Sequence, residues 1–233
     1  MTDYRSVFPR RNTFLAVVHV ENVIQALRNV RVALGEGADG VFLINHRIPA
    51  EHLHLCYGAV RAVFPTQWIG LNWLDLSPTN GLAMMRPSMG GMWIDNVGIR
   101  EDGHGNSQAV YFSEKRYEWM KKWNGSFLLF GGVAFKYQQP VKNLEQVTLL
   151  AKPYVDVITT SGDGTGIAPD VGKIRTMKQA IGNHPLAIAS GITPENAVEY
   201  MEYADCFLVA TGISDSHTEL NPKRVAKLVK IVS

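Results

Sequence analysis

Three short segments in the last third of the chain combine glycines with hydroxyl side chains. They are Thr159-Thr160-Ser161-Gly162-Asp163-Gly164-Thr165-Gly166, Ser190-Gly191-Ile192-Thr193 and Ala210-Thr211-Gly212-Ile213-Ser214. Glycine lets backbone N–H groups approach an anion closely, and hydroxyls add donors that carry no charge. The chemistry this suits is phosphate binding, so Gly162, Gly164, Gly191, Gly212, Ile213 and Ser214 are its expected holders. A tight turn would explain any one of these glycines alone, whereas three such loops in succession favour an anion. On this reading, Gly191→Asp abolishes anion binding by like charge and leaves the fold intact.

Carboxylates, imidazoles and one amine supply the reactive candidates. Asp163 lies inside the first glycine-rich segment, where it either moves a proton or closes an Asx turn. Asp95 sits beside Asn96 near the end of an apolar run, and an acid there needs a partner or a task. Lys136 could neutralise a phosphate, form an imine or simply be solvated. His19 and Glu21 close one apolar run, and Asn45 and His46 close another. A divalent metal held by His19, His46 and an acid is open to this arrangement, yet no ligand motif such as HExxH supports it. No cofactor is predicted. His52 and His54 are two apart on an expected helix and point to different faces, which argues against joint ligation.

These residues need a scaffold that brings strand ends together. Short β-rich runs, each followed by a longer amphipathic stretch, recur eight times. The expected strands are 13–20, 40–45, 68–73, 92–97, 127–132, 155–160, 186–190 and 206–211, most of them nearly continuous apolar runs of the kind buried on both faces of a parallel sheet. Helix signals lie between them. The first expected helix runs from Glu21 to Leu34 and stops at Gly35 and Gly37; the seventh begins at Thr193 with Pro194 behind it; the eighth begins near Asn221 and Pro222. The third is weakened by two prolines and a glycine between Ser77 and Pro87.

Regular βα alternation leaves a closed barrel or an open doubly wound sheet. The open dinucleotide-binding sheet would show GxGxxG after its first strand, where this chain has His19, Val20, Glu21 and Asn22. A single-domain (β/α)8 TIM barrel is therefore expected over 1–233, with a short N-terminal arm at 1–12. The polar stretch 98–110 reads as a lid or as a plain excursion.

Composition agrees with a folded globule. The chain has 233 residues, of which 46% are hydrophobic and 19% charged. Its 23 basic and 21 acidic residues give a net charge of +2, and no long basic run could follow a nucleic-acid backbone. No window approaches a membrane span and the start does not read as a signal peptide, so the expected compartment is the cytoplasm. Cys56 and Cys206 are expected to be buried apolar groups, and Trp68, Trp73, Trp119 and Trp123 to pack. A homo-oligomer is expected from the habit of soluble barrels.

The segments "DVITTSGDGTG", "IASGITPENAVEYMEYAD" and "FLVATGIS", with "VVHVEN", "EGADGVFLINH" and "IGLNWL" upstream, resemble the BtpA family of barrel proteins. The resemblance implies a barrel with a polar mouth and no settled reaction. The family takes its name from stabilising photosystem I in cyanobacteria, and other members look like enzymes of sugar metabolism. His19, Asn45, Asn72, Asp95, Thr165, Gly191 and Gly212 stand where its motifs match. The family's proline- and glycine-rich stretch after the first strand is missing, and Ile44 replaces an acid usual before Asn45.

Residues and resemblance together give an expected enzyme of isomerase, lyase or transferase type acting on a small phosphorylated metabolite. Asp163, Asp95, His19 and Asn45 are its catalytic candidates, and Asn72, Lys136 and Thr165 its substrate-binding candidates. The rival expectation is a non-catalytic barrel that assists assembly of a larger complex.

Overall fold

A computed structural model describes residues 3–101 and 106–233. Eight parallel strands close on themselves in chain order, with β1 (Thr13–Val20) hydrogen-bonded to both β2 (Gly40–Asn45) and β8 (Cys206–Val209). Between them stand β3 (Ile69–Trp73), β4 (Gly91–Ile94), β5 (Leu128–Gly132), β6 (Val157–Thr160) and β7 (Leu186–Ala189). The expected (β/α)8 barrel is thus the observed one. Every strand residue is buried, which is why the strands read as continuous apolar runs rather than alternating ones.

Alternation along each strand sorts the core into two shells. Phe14, Ala16, Val18 and Val20 of β1 pack outward under the helices, while Leu15 and Val17 join Phe42, Trp93, Phe130 and Leu208 inside the barrel. The interior is an interlocked aromatic cluster: Phe42 meets Trp68, Trp93 and Phe130 edge-on at 5.1, 5.6 and 5.1 Å. The arm at the start of the chain closes the opposite end. Its short helix α1 (Tyr4–Val7) puts the Tyr4 hydroxyl 2.8 Å from Thr13 Oγ1 and 3.0 Å from the Asp205 carbonyl, and Phe8 packs on Trp68. With that end plugged, the mouth at the C-terminal strand ends is where a ligand can enter.

The connecting helices are α2 (Val23–Gly35), α3 (Ala50–Val63), α4 (Pro78–Met84), α5 (Ser107–Trp123), α6 (Leu144–Ala151), α7 (Val171–Ile181) and α8 (Pro222–Val232). Asn22 and Asn221 cap α2 and α8; the eighth helix begins where expected, and the first begins two residues after the expected Glu21. The helix expected to begin at Thr193 does not form. Thr193 Oγ1 accepts from Glu195 N, and Asn196 bridges Thr193 N (2.8 Å) and the Gly191 carbonyl (2.9 Å). These local bonds compete with helical ones, and only a 3-10 turn, η1 (Ala197–Tyr200), follows. A second such turn, η2 (Thr211–Ile213), occupies the end of the run expected to be the eighth strand. The fourth strand also stops early, at Ile94, leaving Asp95 free of the sheet.

One buried ion pair ties the helical layer to the barrel. Arg116 of α5 pairs with Asp156, just before β6, and donates to the Phe127 carbonyl at 2.7 Å; Asp156 also accepts from Leu129 N at 2.7 Å.

Candidate functional site

A cavity of about 270 Å³ opens at the C-terminal ends of the strands. Val17, Ile44, Trp93 and Leu208 form its apolar floor, and His19, His46, Asp95 and Lys136 supply its polar groups. Its remaining wall comes from the loops after β6, β7 and β8: Thr165 and Gly166, Ser190 to Ile192, and Ala210 with Thr211.

That wall is assembled by loops stacked backbone to backbone. Gly191 has φ +69°, and a Cβ there would lie 2.0 Å from Ala168 N. One at Gly212 would lie 1.9 Å from the Ile192 carbonyl oxygen. Each loop therefore rests on its neighbour where only glycine leaves room. Ser190, with φ 116°, is strained for a residue with a side chain, and Ala134 and Tyr137 in the loop after β5 are also left-handed. Strain of this kind gathers where a site must be held in place. Side chains stitch the same region: Lys173 Nζ donates to the Ala134 and Ser161 carbonyls at 2.6 and 2.7 Å, and Ser161 Oγ accepts from Lys136 N at 2.8 Å.

Fixed in this way, the amides of Gly166, Gly191, Ile192, Thr211 and Gly212 donate to no other described residue. All but Gly212 line the cavity. Lys136 Nζ stands 3.3 Å from Ser190 Oγ and 3.4 Å from Thr165 Oγ1 at the same wall, and the Tyr137 hydroxyl is 3.4 Å from Thr165 Oγ1. Unbonded amides, hydroxyls and one ammonium form a wall complementary to an anion.

The sequence-expected phosphate holders divide here. Gly191 is in the wall. Gly162, Gly164, Gly212, Ile213 and Ser214 do not line the cavity. The Ile213 and Ser214 amides already bond the carbonyls of Ala210 and Thr211, and Ser214 Oγ donates to the Ala210 carbonyl. Gly162 instead makes room for the carbonyls of Ile167 and Ala168. Gly166, Ser190, Ile192 and Thr211 take the places that these residues were expected to fill.

The acids divide likewise. Asp163 is exposed and outside the cavity. Asp95 lines it, and burial raises its carboxyl above the usual range, against the opposing pull of the Asn72 hydrogen bond and the charge of Lys136. Asn72 Nδ2 donates to Asp95 Oδ1 at 2.9 Å, so Asn72 positions the acid. Asn45 is consumed structurally: Nδ2 donates to the Ile48 carbonyl and Asp75 Oδ1, while Oδ1 accepts from Leu74 N. With both amide hydrogens and one carbonyl lone pair engaged, Asn45 braces two loops.

The raised Asp95 carboxyl has a thermodynamic signature. Above the ordinary carboxylate value, the unfolded chain releases this proton before the native protein does, so native protein binds more protons and loses stability as pH rises. Asp95→Asn removes the titration. Its melting temperature is expected to match wild type at acid pH and to exceed it progressively toward neutral pH, as a calorimetric pH series would show. A gap that closes with rising pH would contradict the assignment.

His19 and His46, the pair expected at one mouth, are adjacent, with ring centroids 4.6 Å apart. Their third neighbour is not an acid but His217, 4.2 Å from His19 and 5.2 Å from His46. Burial, reinforced by the two neighbouring imidazoles, lowers the His19 pKa to about 3. It therefore stays a neutral ring. The stretch 98–110 reaches the mouth with none of its described residues; Gly98 to Glu101 line a separate cleft with Gln138 to Val141. Residues 102–105, the centre of the expected lid, lie outside the described residues.

No protein-family model matches the chain. It is similar to an uncharacterized protein, PH1209, of Pyrococcus horikoshii, 28% identical over 105 residues that span 43% of this chain and 40% of that protein. Among solved structures it is similar to (S)-3-O-geranylgeranylglyceryl phosphate synthase from Thermoplasma acidophilum in complex with sn-glycerol-1-phosphate. The TM-score is 0.70 at 13% identity, covering 100% of this chain and 99% of that one. Phosphoribosyl anthranilate isomerase from Thermus thermophilus gives 0.65 at 14% identity, covering 94% and 96%. At these identities the likeness is one of fold. No helix among the described residues is long and apolar enough to cross a membrane.

Proposed function

We propose that the protein is an enzyme of isomerase, lyase or transferase type acting on a small phosphorylated metabolite, such as a sugar phosphate or phosphoribosyl compound. The observation that carries this reading is the wall of unbonded amides at Gly166, Gly191, Ile192 and Thr211 beside Lys136, at the mouth of a barrel. Loops after strands seven and eight are the common phosphate site of this fold. Two similar structures are a synthase in complex with sn-glycerol-1-phosphate and a phosphoribosyl anthranilate isomerase. The phosphate rests on the amide wall, the rest of the substrate lies over Trp93 and Ile44, and Asp95, steered by Asn72, exchanges a proton with it. We keep the BtpA kinship, a cytoplasmic location and a homo-oligomeric state as parts of the same proposal.

A thermal-shift and calorimetric panel of inorganic phosphate and sugar phosphates tests it. A ligand selective for the native state raises the melting temperature. Lys136→Met is expected to weaken phosphate binding by about 10- to 150-fold, the loss of one charged hydrogen-bonding group. No shift across the panel would favour the non-catalytic assembly role instead.

A further inference from the structure

We propose that His19, His46 and His217 form a three-histidine site for a divalent transition-metal ion of the zinc class, at the rim of the cavity and open toward it. One ring nitrogen from each residue lies within 4.8 Å of the other two. A tetrahedral ion with Zn–N bonds of about 2.0–2.1 Å needs its ligands about 3.4 Å apart. His46 and His217 are exposed and free to close that gap around the buried His19.

The tautomer of His19 is fixed in the sense a metal requires. Its Nδ1 is 2.9 Å from the His217 carbonyl oxygen, which can only accept, so Nδ1 carries the proton and Nε2 keeps its lone pair. A backbone carbonyl on the far ring nitrogen is the usual second partner of a metal-bound imidazole. Burial, then the charge of its neighbours, lowers the His46 pKa.

His217 is also held at its post by a dedicated scaffold. The segment 214–220 folds back on itself, with an antiparallel bridge between Ser214 and Leu220 and a bond from Asp215 N to the Glu219 carbonyl. The buried Gln25 of α2 donates both to the His19 carbonyl (3.0 Å) and to the Thr218 carbonyl (2.6 Å), and Asn29 accepts from Leu220 N at 2.6 Å. Arg28 pairs with Glu219 from the same helix. One helix thus locks the strand bearing His19 to the loop bearing His217. Three imidazoles supply donors for zinc, cobalt or nickel and leave a fourth position toward the cavity. Lys136 is the neighbouring cation felt by both His19 and His46, and an anion bound between ion and ammonium offsets their repulsion. The site stands independently of the anion reading, because none of its three ligands belongs to the amide wall.

The test uses untagged protein, stripped with a chelator and titrated with Co2+ and Zn2+ in phosphate-free buffer. One ion per chain is expected, with the visible absorption of tetrahedral Co2+ and a raised melting temperature. His46→Ala and His217→Ala alter exposed side chains and should keep the fold. Each is expected to weaken binding by more than about 100-fold, beyond the loss of an outer-shell partner. Asp95→Asn should bind as wild type does. Absence of stoichiometric binding, or wild-type affinity in either histidine variant, overturns the proposal. Phosphate titration of the stripped protein reads the amide wall separately, so failure of one site is distinguishable from failure of the other.

Discussion

Gly191→Ala is expected to destabilise the protein by about 2–5 kcal/mol and to abolish phosphate binding, even though it adds a single methyl group. Two costs add. The residue has φ +69°, and a left-handed backbone costs a residue with a side chain about 1–2 kcal/mol. Overpacking adds about 1–3 kcal/mol. Relief is hard to find, because the atoms met at 2.0–2.3 Å are backbone atoms of Ile167 and Ala168, which no rotamer change can move. The loop after β6 must lift off the loop after β7, and the wall opens. The same geometry corrects the expectation that Gly191→Asp would leave the fold intact. Gly182→Ala is the control, since Gly182 has φ +61° with nothing within 4 Å of an added Cβ. It should cost stability through its backbone alone and leave phosphate affinity unchanged. Denaturant unfolding with phosphate calorimetry would decide, and wild-type behaviour of Gly191→Ala would be a clear contradiction.

Arg116→Met is expected to cost about 3–5 kcal/mol, the usual consequence of stranding one partner of a buried pair. The side chains of Arg116 and Asp156 are 6% and 2% exposed, so water cannot replace the lost guanidinium. The pair is incompletely satisfied even in the native protein, with Arg116 Nε and Asp156 Oδ1 buried and unpartnered. Its removal as a unit should therefore be far milder than its disruption. Arg116→Met combined with Asp156→Asn is expected to recover more than half of the loss, since the amide oxygen can still accept from Leu129 N. Urea denaturation of the single and double variants measures this directly. Additive losses would show that the pair stabilises the barrel outright.

The barrel was legible because strands buried on both faces leave an unmistakable mark, and β1 and β2 begin and end where the apolar runs do. Boundaries blurred where side chains took over backbone bonding: Thr193 and Asn196 replaced an expected helix by a turn. The glycines of the last loops announced close backbone approach correctly, but sequence could not say what approaches. At Gly162 it is a later stretch of the same loop, and at Gly212 a neighbouring loop. The polar atoms of Asn45 are visible in sequence, whereas their hydrogen bonds to Ile48, Leu74 and Asp75 appear only in three dimensions. The place of His217 is hidden in the sequence for a topological reason. It is 198 residues from His19 along the chain, and only closure of β8 onto β1 makes them neighbours. A histidine in the loop after the last strand could have been set beside the first strand by that closure.

On the proposed function, one anion is held by amides from the loops after β6, β7 and β8. An amide-resolved NMR titration with inorganic phosphate tests it most directly. Saturable shifts are predicted at Gly166, Gly191, Ile192 and Thr211, reduced in parallel by Lys136→Met. Shifts absent from these four, or confined to the cleft around Gly98 to Glu101, would contradict it.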